Sequence, residues 1–191
     1  SLVGSEMCIR DSNHIAATAA AGQLHHFETI GIIRGEELKD KIDENPTLRF
    51  AKKCGMQLHF ISREEYRKKD EVEFINHLNT KYPNTYVIPE GGTNDFAIKG
   101  CEEILYDDCF EYDFIASAIG TCGTIAGLIE SSKPHQKILG FPSLKGDFIQ
   151  NEIEKLTNKT NFTIFNDYHF GGYGKVSDEL ITFVNDFKRI N

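Results

Sequence analysis

A glycine-rich turn is the part of this sequence whose residues are best suited to chemistry. It reads Ala118-Ile-Gly-Thr-Cys-Gly-Thr-Ile-Ala-Gly127 and joins an apolar run to a helical pattern. At such a junction the first backbone N–H groups of the helix lack partners, and the positive end of the helix dipole attracts an anion such as phosphate. Thr121 and Thr124 add hydroxyl donors. A tight strand-to-helix turn uses glycine equally well, so the residues alone leave both interpretations open.

Two further glycine clusters follow apolar runs. The first, Pro89-Glu-Gly-Gly-Thr-Asn94, ends in a residue that can cap a helix. The second, Asp167-Tyr-His-Phe-Gly-Gly-Tyr-Gly174, combines aromatic side chains with glycines. In an open parallel sheet, loops that follow strands meet at one edge, where ligands bind. Each cluster is also compatible with an ordinary turn or a surface loop pinned by its aromatic side chains.

Composition and charge argue against several classes of protein. The net charge is −8, with 29 acidic against 21 basic residues, so we expect no nucleic-acid partner. No run approaches the roughly 20 apolar residues of a membrane helix, and we expect no membrane association. The five cysteines form no C-x-x-C pair, which indicates reduced thiols and a cytoplasmic location. The seven histidines show no metal-ligand spacing, so no metal site is predicted.

The chain from Asn13 onward alternates short apolar runs with helical patterns. This alternation is typical of an α/β protein with parallel strands flanked by helices. The run Phe114–Ile119 is apolar at nearly every position, as expected of a strand covered on both faces. Gly22 is predicted to stop the first helix. The predicted strands are Thr29–Arg34, Gln57–Ile61, Thr85–Ile88, Phe114–Ile119, Lys137–Phe141 and Phe162–Phe165, and the principal predicted helices are Asn13–Ala21, Pro46–Cys54, Val72–Tyr82, Asn94–Tyr106, Thr124–Ser131, Phe148–Leu156 and Asp178–Ile190.

The opening twelve residues differ in character from the rest. They read Ser1-Leu-Val-Gly-Ser-Glu-Met-Cys-Ile-Arg-Asp-Ser12 and show neither helical nor strand periodicity. The run resembles the translated read-through of a sequencing adaptor. We therefore predict that residues 1–12 are a non-native segment, that the first secure native residue is Asn13, and that Ser12 is only partly determined by the gene.

Five motifs occur in an order that resembles one enzyme family. They are Ser12-Asn-His14 before an alanine-rich helix, Asn45-Pro-Thr-Leu-Arg49, Tyr86-Val-Ile-Pro-Glu-Gly-Gly-Thr-Asn94, the Gly120–Thr124 loop and Gly172-Tyr-Gly174. The combination resembles the 1-aminocyclopropane-1-carboxylate deaminase and D-cysteine desulfhydrase family. The similarity extends over essentially all of residues 13–191 and is far more specific than any single motif.

The resemblance implies a fold, a cofactor and roles for several residues. The family has the tryptophan synthase beta-like fold, known as fold type II, in which a small α/β domain is inserted into a larger one. Residues 13–89 would form the small domain, and residues 90–191 would form part of the large one. The implied cofactor is pyridoxal 5'-phosphate. Its phosphate would lie on Gly120, Thr121, Cys122, Gly123 and Thr124, and its ring oxygen on Asn13. Ser12 and Tyr173 would contact the substrate.

The departures from the family pattern are as informative as the matches. The family's Schiff-base lysine lies upstream of the Ser-Asn-His motif, in the region that the adaptor-like segment occupies here. Lys159 follows an asparagine but lies elsewhere in the order. We therefore expect a fragment, incomplete at both ends and inactive by itself, of an enzyme that releases ammonia from D-cysteine or 1-aminocyclopropane-1-carboxylate. Relatives of the family suggest a homodimer.

Two other functions remain compatible with the sequence. One is a different lyase of the same fold, such as a serine or threonine dehydratase or a cysteine synthase-like enzyme. The other is a module that binds a phosphorylated metabolite in its glycine loops without catalysis.

Overall fold

The computed structural model describes residues 13–172 and 174–190 and the backbone of residues 3–8. The chain folds into two compact units, Ser1–Gly92 and Thr93–Asn191. Each unit contains one parallel sheet flanked by helices. The α/β architecture predicted from the sequence is therefore confirmed.

The first unit has a four-stranded parallel sheet in the order β3-β2-β1-β4. Short 3-10 segments at Glu36–Glu44 and Glu90–Gly92 complete its described structure. Its strands and α-helices, in chain order, are β1 (Val3–Cys8), α1 (Asn13–His25), β2 (Thr29–Arg34), α2 (Pro46–Lys53), β3 (Gln57–Ile61), α3 (Arg63–Arg67), α4 (Val72–Lys81) and β4 (Thr85–Ile88).

The strand β1 lies in the opening segment, whose sequence shows no strand periodicity. The backbone of Val3–Cys8 nevertheless pairs with β2 on one side and with β4 on the other. Ladder hydrogen bonds involve backbone groups that every non-proline residue carries, so a segment can pair without an alternating apolar pattern. The non-native origin of residues 1–12 stays a prediction.

The strand β2 is buried on both faces because successive side chains point to opposite sides of a sheet. Ile30 and Ile32 pack with Phe74 and Leu78 of α4. Ile33 packs on the other side, in a cluster that contains Ile15 of α1 and Leu48 of α2. The sheet of the first unit is therefore covered by helices on both faces.

Gly22 was expected to end α1, and this expectation is wrong. The helix continues to His25. A Cβ atom at Gly22 would lie 2.6 Å from Cγ2 of Thr29, so this glycine lets the helix approach β2 closely. The helix α2 is bounded by residues suited to its two ends: Asn45 Oδ1 accepts a hydrogen bond from Leu48 N at 3.0 Å, and Gly55 follows the helix with a φ of 92°.

The second unit has a three-stranded parallel sheet in the order β5-β6-β7. Its core joins Ile119 of this sheet to Ile125 and Ile129 of the helix that follows. Its strands and α-helices are α5 (Asp95–Cys101), β5 (Phe114–Ile119), α6 (Gly123–Ser131), β6 (Lys137–Pro142), α7 (Phe148–Leu156), β7 (Phe162–Ile164) and α8 (Asp178–Ile190), with 3-10 segments at Glu102–Ile104 and Asp107–Glu111.

Two expectations about the second unit are wrong. The strand β5 is not covered on both faces by described residues, because its side chains alternate between exposed and partly buried positions. The helix expected to reach Tyr106 ends at Cys101 and continues only as a 3-10 turn. Leu105 leaves the helix in an extended conformation and is buried in the core, so tertiary packing overrides local helix preference.

The helix α8 has an exposed apolar face. Its residues Ile181, Val184 and Phe187 expose between 47% and 60% of their surface. None of the residues of α8 is buried by the part of the chain that the structure describes.

Candidate functional site

The loop between β5 and α6 presents the open start of a helix. Strand β5 ends at Ile119, and the nine-residue helix α6 begins at Gly123. Cys122 precedes the helix in a left-handed conformation with a φ of 68°, and its side chain makes no capping hydrogen bond. No acidic residue lies in its first turn. Both features leave the positive end of the helix available to an anion.

Three backbone N–H groups at the start of α6 make no hydrogen bond within the described part of the chain. Among the residues that the structure describes, none accepts a hydrogen bond from the N–H groups of Cys122, Gly123 or Thr124. The carbonyl of Cys122 is used differently, because it accepts the hydrogen bond of Ala126 N at 3.0 Å. The loop therefore directs its carbonyl into the helix and retains several donors for a ligand.

The two glycines of the loop serve different purposes. Gly123 is buried, and a Cβ atom there would lie 2.9 Å from Oγ1 of Thr93. Gly120 is exposed, and apart from its chain neighbours no described residue has an atom within 4 Å of the place its Cβ would occupy. Gly123 thus allows Thr93 to approach, while Gly120 leaves open space beside the loop.

Cys122 is the only residue of the predicted phosphate loop that carries an ionisable side chain. It is 5% exposed, and burial, followed by the negative charge of Glu152, raises the pKa of its thiol. The thiol is therefore neutral near pH 7, and no thiolate repels an anion from the loop. A neutral, buried thiol is also a poor nucleophile, so this cysteine is a packing residue.

Thr93 connects the second predicted glycine cluster to this loop. Its Oγ1 lies 2.8 Å from the carbonyl oxygen of Thr121 and 2.8 Å from Oγ1 of the same residue. The site residues predicted from the sequence did not include Thr93. The only signal was its position in the Gly-Gly-Thr-Asn run, where Asn94 caps α5 by accepting a hydrogen bond from Ala97 N at 2.9 Å.

The other end of that cluster lies in the first unit. Gly91 and Gly92 have φ angles of 75° and 74°, which L side chains rarely adopt. Gly92 N donates to Pro89 O at 2.9 Å, and a Cβ atom at Gly92 would lie 2.3 Å from Nε2 of His14. The glycines are therefore required by the turn and by the close approach of His14. Asn13, the predicted contact of the cofactor ring, is exposed at the start of α1.

Tyr168 and Phe170 of the aromatic cluster help to line a cavity in the second unit. Tyr168 packs edge-on against Phe141 at 5.7 Å, and Phe170 lies 5.6 Å from Phe183 of α8. The cavity has a volume of about 920 Å³ and is lined mainly by aromatic and aliphatic side chains. Tyr168 and Phe170, two of the aromatic side chains expected to anchor the loop, therefore both make aromatic contacts. Tyr173 and Ser12, predicted to contact the substrate, lie outside the described residues.

Lys159 has a structural environment that fits its exclusion from the predicted site. Its ammonium group donates hydrogen bonds to the carbonyl oxygens of Glu130 and Ser132, at the end of α6. Cations are favoured at helix C-termini, where carbonyl groups lack partners.

Across residues 13–172 and 174–190, no cluster of three or more His, Cys, Asp or Glu side chains could hold a metal ion. Nor does any helix in these ranges have the length and apolar character needed to cross a membrane.

Similar proteins are known by sequence. No protein-family model matches the chain. A Thermotoga maritima protein named putative 1-aminocyclopropane-1-carboxylate deaminase is 26% identical over 202 residues, which cover 94% of this chain and 63% of that protein. The bifunctional D-cysteine desulfhydrase/1-aminocyclopropane-1-carboxylate deaminase of Arabidopsis thaliana, described as mitochondrial, is 29% identical over 91% of this chain and 50% of its own length. The chain thus spans between 50% and 63% of these two relatives.

Solved structures share the fold. The structure of a homologue of 1-aminocyclopropane-1-carboxylate deaminase gives a TM-score of 0.68 at 22% identity and covers 98% of this chain and 62% of its own. Maize serine racemase gives a TM-score of 0.56 at 15% identity, covering 85% of this chain and 57% of its own. At these identities the likeness establishes the fold alone. It confirms the fold class that the sequence predicts.

Proposed function

We propose that this chain is a member of the 1-aminocyclopropane-1-carboxylate deaminase and D-cysteine desulfhydrase family, and that it holds the phosphate of pyridoxal 5'-phosphate on residues Gly120–Thr124. The observation that carries the proposal is the uncapped start of α6, where Cys122, Gly123 and Thr124 keep their N–H groups unused by described residues. A phosphate group accepts several hydrogen bonds and carries negative charge. It therefore suits these donors and the positive end of the helix dipole.

The residues around the loop fit a phosphate group. The buried thiol of Cys122 is uncharged near neutral pH, and the first turn of α6 has no acidic side chain. Gly120 leaves open space where a larger residue would project a side chain. The exposed hydroxyl group of Thr124 can add a donor at the rim.

We assign the remaining roles on the family resemblance. Asn13 would hydrogen-bond the ring oxygen of the cofactor, and Ser12 and Tyr173 would contact a small amino-acid substrate. When bound, the cofactor supplies an electron sink for the α-carbon of the amino acid, which is the chemistry that the family uses to release ammonia. The protein's own contribution is to bind and orient both molecules.

The whole protein would act on D-cysteine, with release of sulfide, or on 1-aminocyclopropane-1-carboxylate. These are the substrates that the names of the relatives specify. We propose that the 191-residue chain itself is inactive, because it has no lysine at the position of the family's Schiff-base lysine. Lys159 does not replace that lysine, since its ammonium group is engaged by the carbonyl groups of Glu130 and Ser132.

Two further assignments remain predictions. The homodimer inferred from the family applies to the whole protein. The cytoplasmic location rests on the unpaired cysteines, and Cys54, Cys101, Cys109 and Cys122 are free thiols. The Arabidopsis relative is described as mitochondrial, so location varies among the proteins that this chain resembles.

Ligand binding by the purified chain tests the phosphate site. Pyridoxine 5'-phosphate is the suitable probe, because it lacks the aldehyde that would react with surface lysines, and pyridoxine without phosphate is its matched control. We expect calorimetric binding of the phosphorylated compound only. Equal binding of both compounds, or binding of neither, would contradict the proposed site.

Turnover tests the inactivity of the chain and the substrate of the whole protein. The chain with pyridoxal 5'-phosphate should release neither ammonia nor sulfide from D-cysteine, and borohydride reduction should attach no cofactor to a specific lysine. A coding sequence extended to the length of the relatives should react with D-cysteine or 1-aminocyclopropane-1-carboxylate. Preference of the extended protein for L-serine or L-threonine would instead favour another lyase of the same fold.

A further inference from the structure

Thr93 lies over the phosphate loop because two helices fix its position. Thr93 stands just before α5, whose start is capped by Asn94. Helix α5 is in turn pressed against α6, since a Cβ atom at Gly127 would lie 2.7 Å from the carbonyl oxygen of Ile98. The half-buried Thr93 side chain therefore has little freedom to move away from the start of α6.

The hydroxyl group of Thr93 makes two hydrogen bonds with one residue. The carbonyl oxygen and Oγ1 of Thr121 are each 2.8 Å from Thr93 Oγ1. A hydroxyl group has one hydrogen to donate and can also accept. Because the carbonyl can only accept, Thr93 donates to the carbonyl of Thr121 and can accept from the Thr121 hydroxyl.

This hydrogen bond determines the direction of the next N–H group. No described peptide bond is cis, and in a planar trans peptide the C=O and N–H groups point in opposite directions. Holding the Thr121 carbonyl toward Thr93 therefore directs the N–H of Cys122 to the opposite side. The bond also restrains Cys122, whose left-handed conformation is unfavourable for a residue with a side chain.

We propose that Thr93 is a positioning residue of the phosphate site, acting through the Thr121–Cys122 peptide. The proposal rests on the proposed function of the Gly120–Thr124 loop. Thr93 does not need to touch the phosphate. It holds the peptide so that the N–H of Cys122 is already oriented when the ligand arrives, which avoids the cost of ordering the loop on binding.

Binding of pyridoxine 5'-phosphate to single-residue variants tests this role. Thr93→Val has nearly the same shape without the hydroxyl, and we expect about 3- to 10-fold weaker binding, the effect of one neutral hydrogen bond. Thr93→Ser keeps the hydroxyl and should bind within about 2-fold of the original chain. Thr80→Val is the matched control, because Thr80 also donates to a backbone carbonyl, that of Asn76 at 2.8 Å, but lies in α4. It should bind normally.

Amide spectra separate positioning from general damage. In the original chain, the ¹H–¹⁵N signal of Cys122 should shift when inorganic phosphate or pyridoxine 5'-phosphate is added. In Thr93→Val the free-state signals of Cys122 and Gly123 should move, while those of β7 stay in place. If Thr93→Val does not fold, Thr93→Ala, which also lacks the hydroxyl group and adds no bulk, replaces it in both measurements with the same expected results.

The possible failures have different meanings. If the original chain binds no phosphorylated ligand, the proposed function fails and the role of Thr93 fails with it. If the original chain binds and folded Thr93→Val binds equally well, only the role of Thr93 is overturned. A titration in which the Cys122 amide does not respond to bound phosphate also overturns the role, whatever the variants do.

Discussion

Gly127 of α6 and Cys101 of α5 touch so closely that a Cβ atom at Gly127 would lie 2.4 Å from Cβ of Cys101. The backbone carbonyl of Ile98 lies 2.7 Å from the same position. These neighbours are a backbone atom and the base of a side chain, and neither can rotate away. The contact sets the distance between the two helices, and with it the position of Thr93 over the phosphate loop.

Gly127→Ala should therefore destabilise the second unit. We expect a loss of about 1–3 kcal/mol in the free energy of unfolding, as for other overpacked sites, measured by urea denaturation. Gly100→Ala is the matched control: it is also a helical glycine, but no atom lies within 4 Å of the added Cβ. Better helix propensity should make it more stable by about 0.5–1 kcal/mol. Equal effects of the two substitutions would refute the close-contact explanation.

Lys159 should stabilise the C-terminal end of α6. Its ammonium group donates hydrogen bonds to the carbonyl oxygens of Glu130 and Ser132, so Lys159→Met leaves these two acceptors without their donor. We expect a loss of about 1–2 kcal/mol by thermal or urea unfolding, below the usual value for a charged hydrogen bond because the group is partly exposed. Lys155→Met, which breaks only the exposed pair with Glu152, should change stability by less than about 0.5 kcal/mol.

Much of the fold follows from local sequence signals. The strands β2, β3, β4 and β5 begin and end where predicted, because each is a short apolar or β-branched run between turn residues. The caps Asn45 and Asn94 act as their residue types predict, since a short polar side chain reaches the first free N–H groups of a helix.

The errors arise where distant packing decides the outcome. Gly22 permits a close contact with Thr29, which no local rule distinguishes from a helix stop. The exposed face of β5 depends on which elements pack over that side of the sheet, and this is not encoded in the apolar run itself. The part played by Thr93 could not be predicted, because it depends on how α5 packs on α6.

Gln136 should be among the most sensitive polar residues of the second unit. It is 1% exposed. Its side chain makes hydrogen bonds with three backbone groups: it donates to the carbonyl oxygens of Cys109 and Tyr112 and accepts from Lys133 N. Gln136→Leu would leave all three without this partner. We expect a loss of roughly 2–4 kcal/mol in the free energy of unfolding.

Gln136→Glu offers a sharper version of the same test. A carboxylate cannot donate to the two carbonyls, whereas a protonated carboxyl group can donate to one of them. Relative to the original chain, this variant should therefore be less destabilised at pH 4 than at pH 7. Gln57→Glu, at an exposed position of β3 where the side chain makes no hydrogen bond with a described residue, is the control and should show little pH dependence. A pH-independent difference for Gln136→Glu would contradict the donor role.

His59 should make the first unit sensitive to acid. Burial, and next the positive charge of Lys81, lower the pKa of His59 below its ordinary value of 6.5. Lys81 Nζ lies 2.9 Å from His59 Nε2, and since an ammonium group only donates, this nitrogen must carry a lone pair. Folding therefore favours the neutral imidazole.

The direction of the pH effect follows from the lowered pKa. Below about pH 6.5, the ordinary pKa of histidine, His59 of the unfolded chain binds a proton that the folded chain binds less readily. The stability that His59 contributes is therefore fully present above about pH 6.5. It is lost as the pH falls through the lower pKa of the folded state. His59→Gln should remove this part of the decline, measured as the difference between urea unfolding curves of the two proteins from pH 7.5 to pH 5. Lys81→Met should reduce it without abolishing it, because burial is the larger cause. A steeper decline in His59→Gln would show that protonation of His59 stabilises the fold, the opposite of the expected effect.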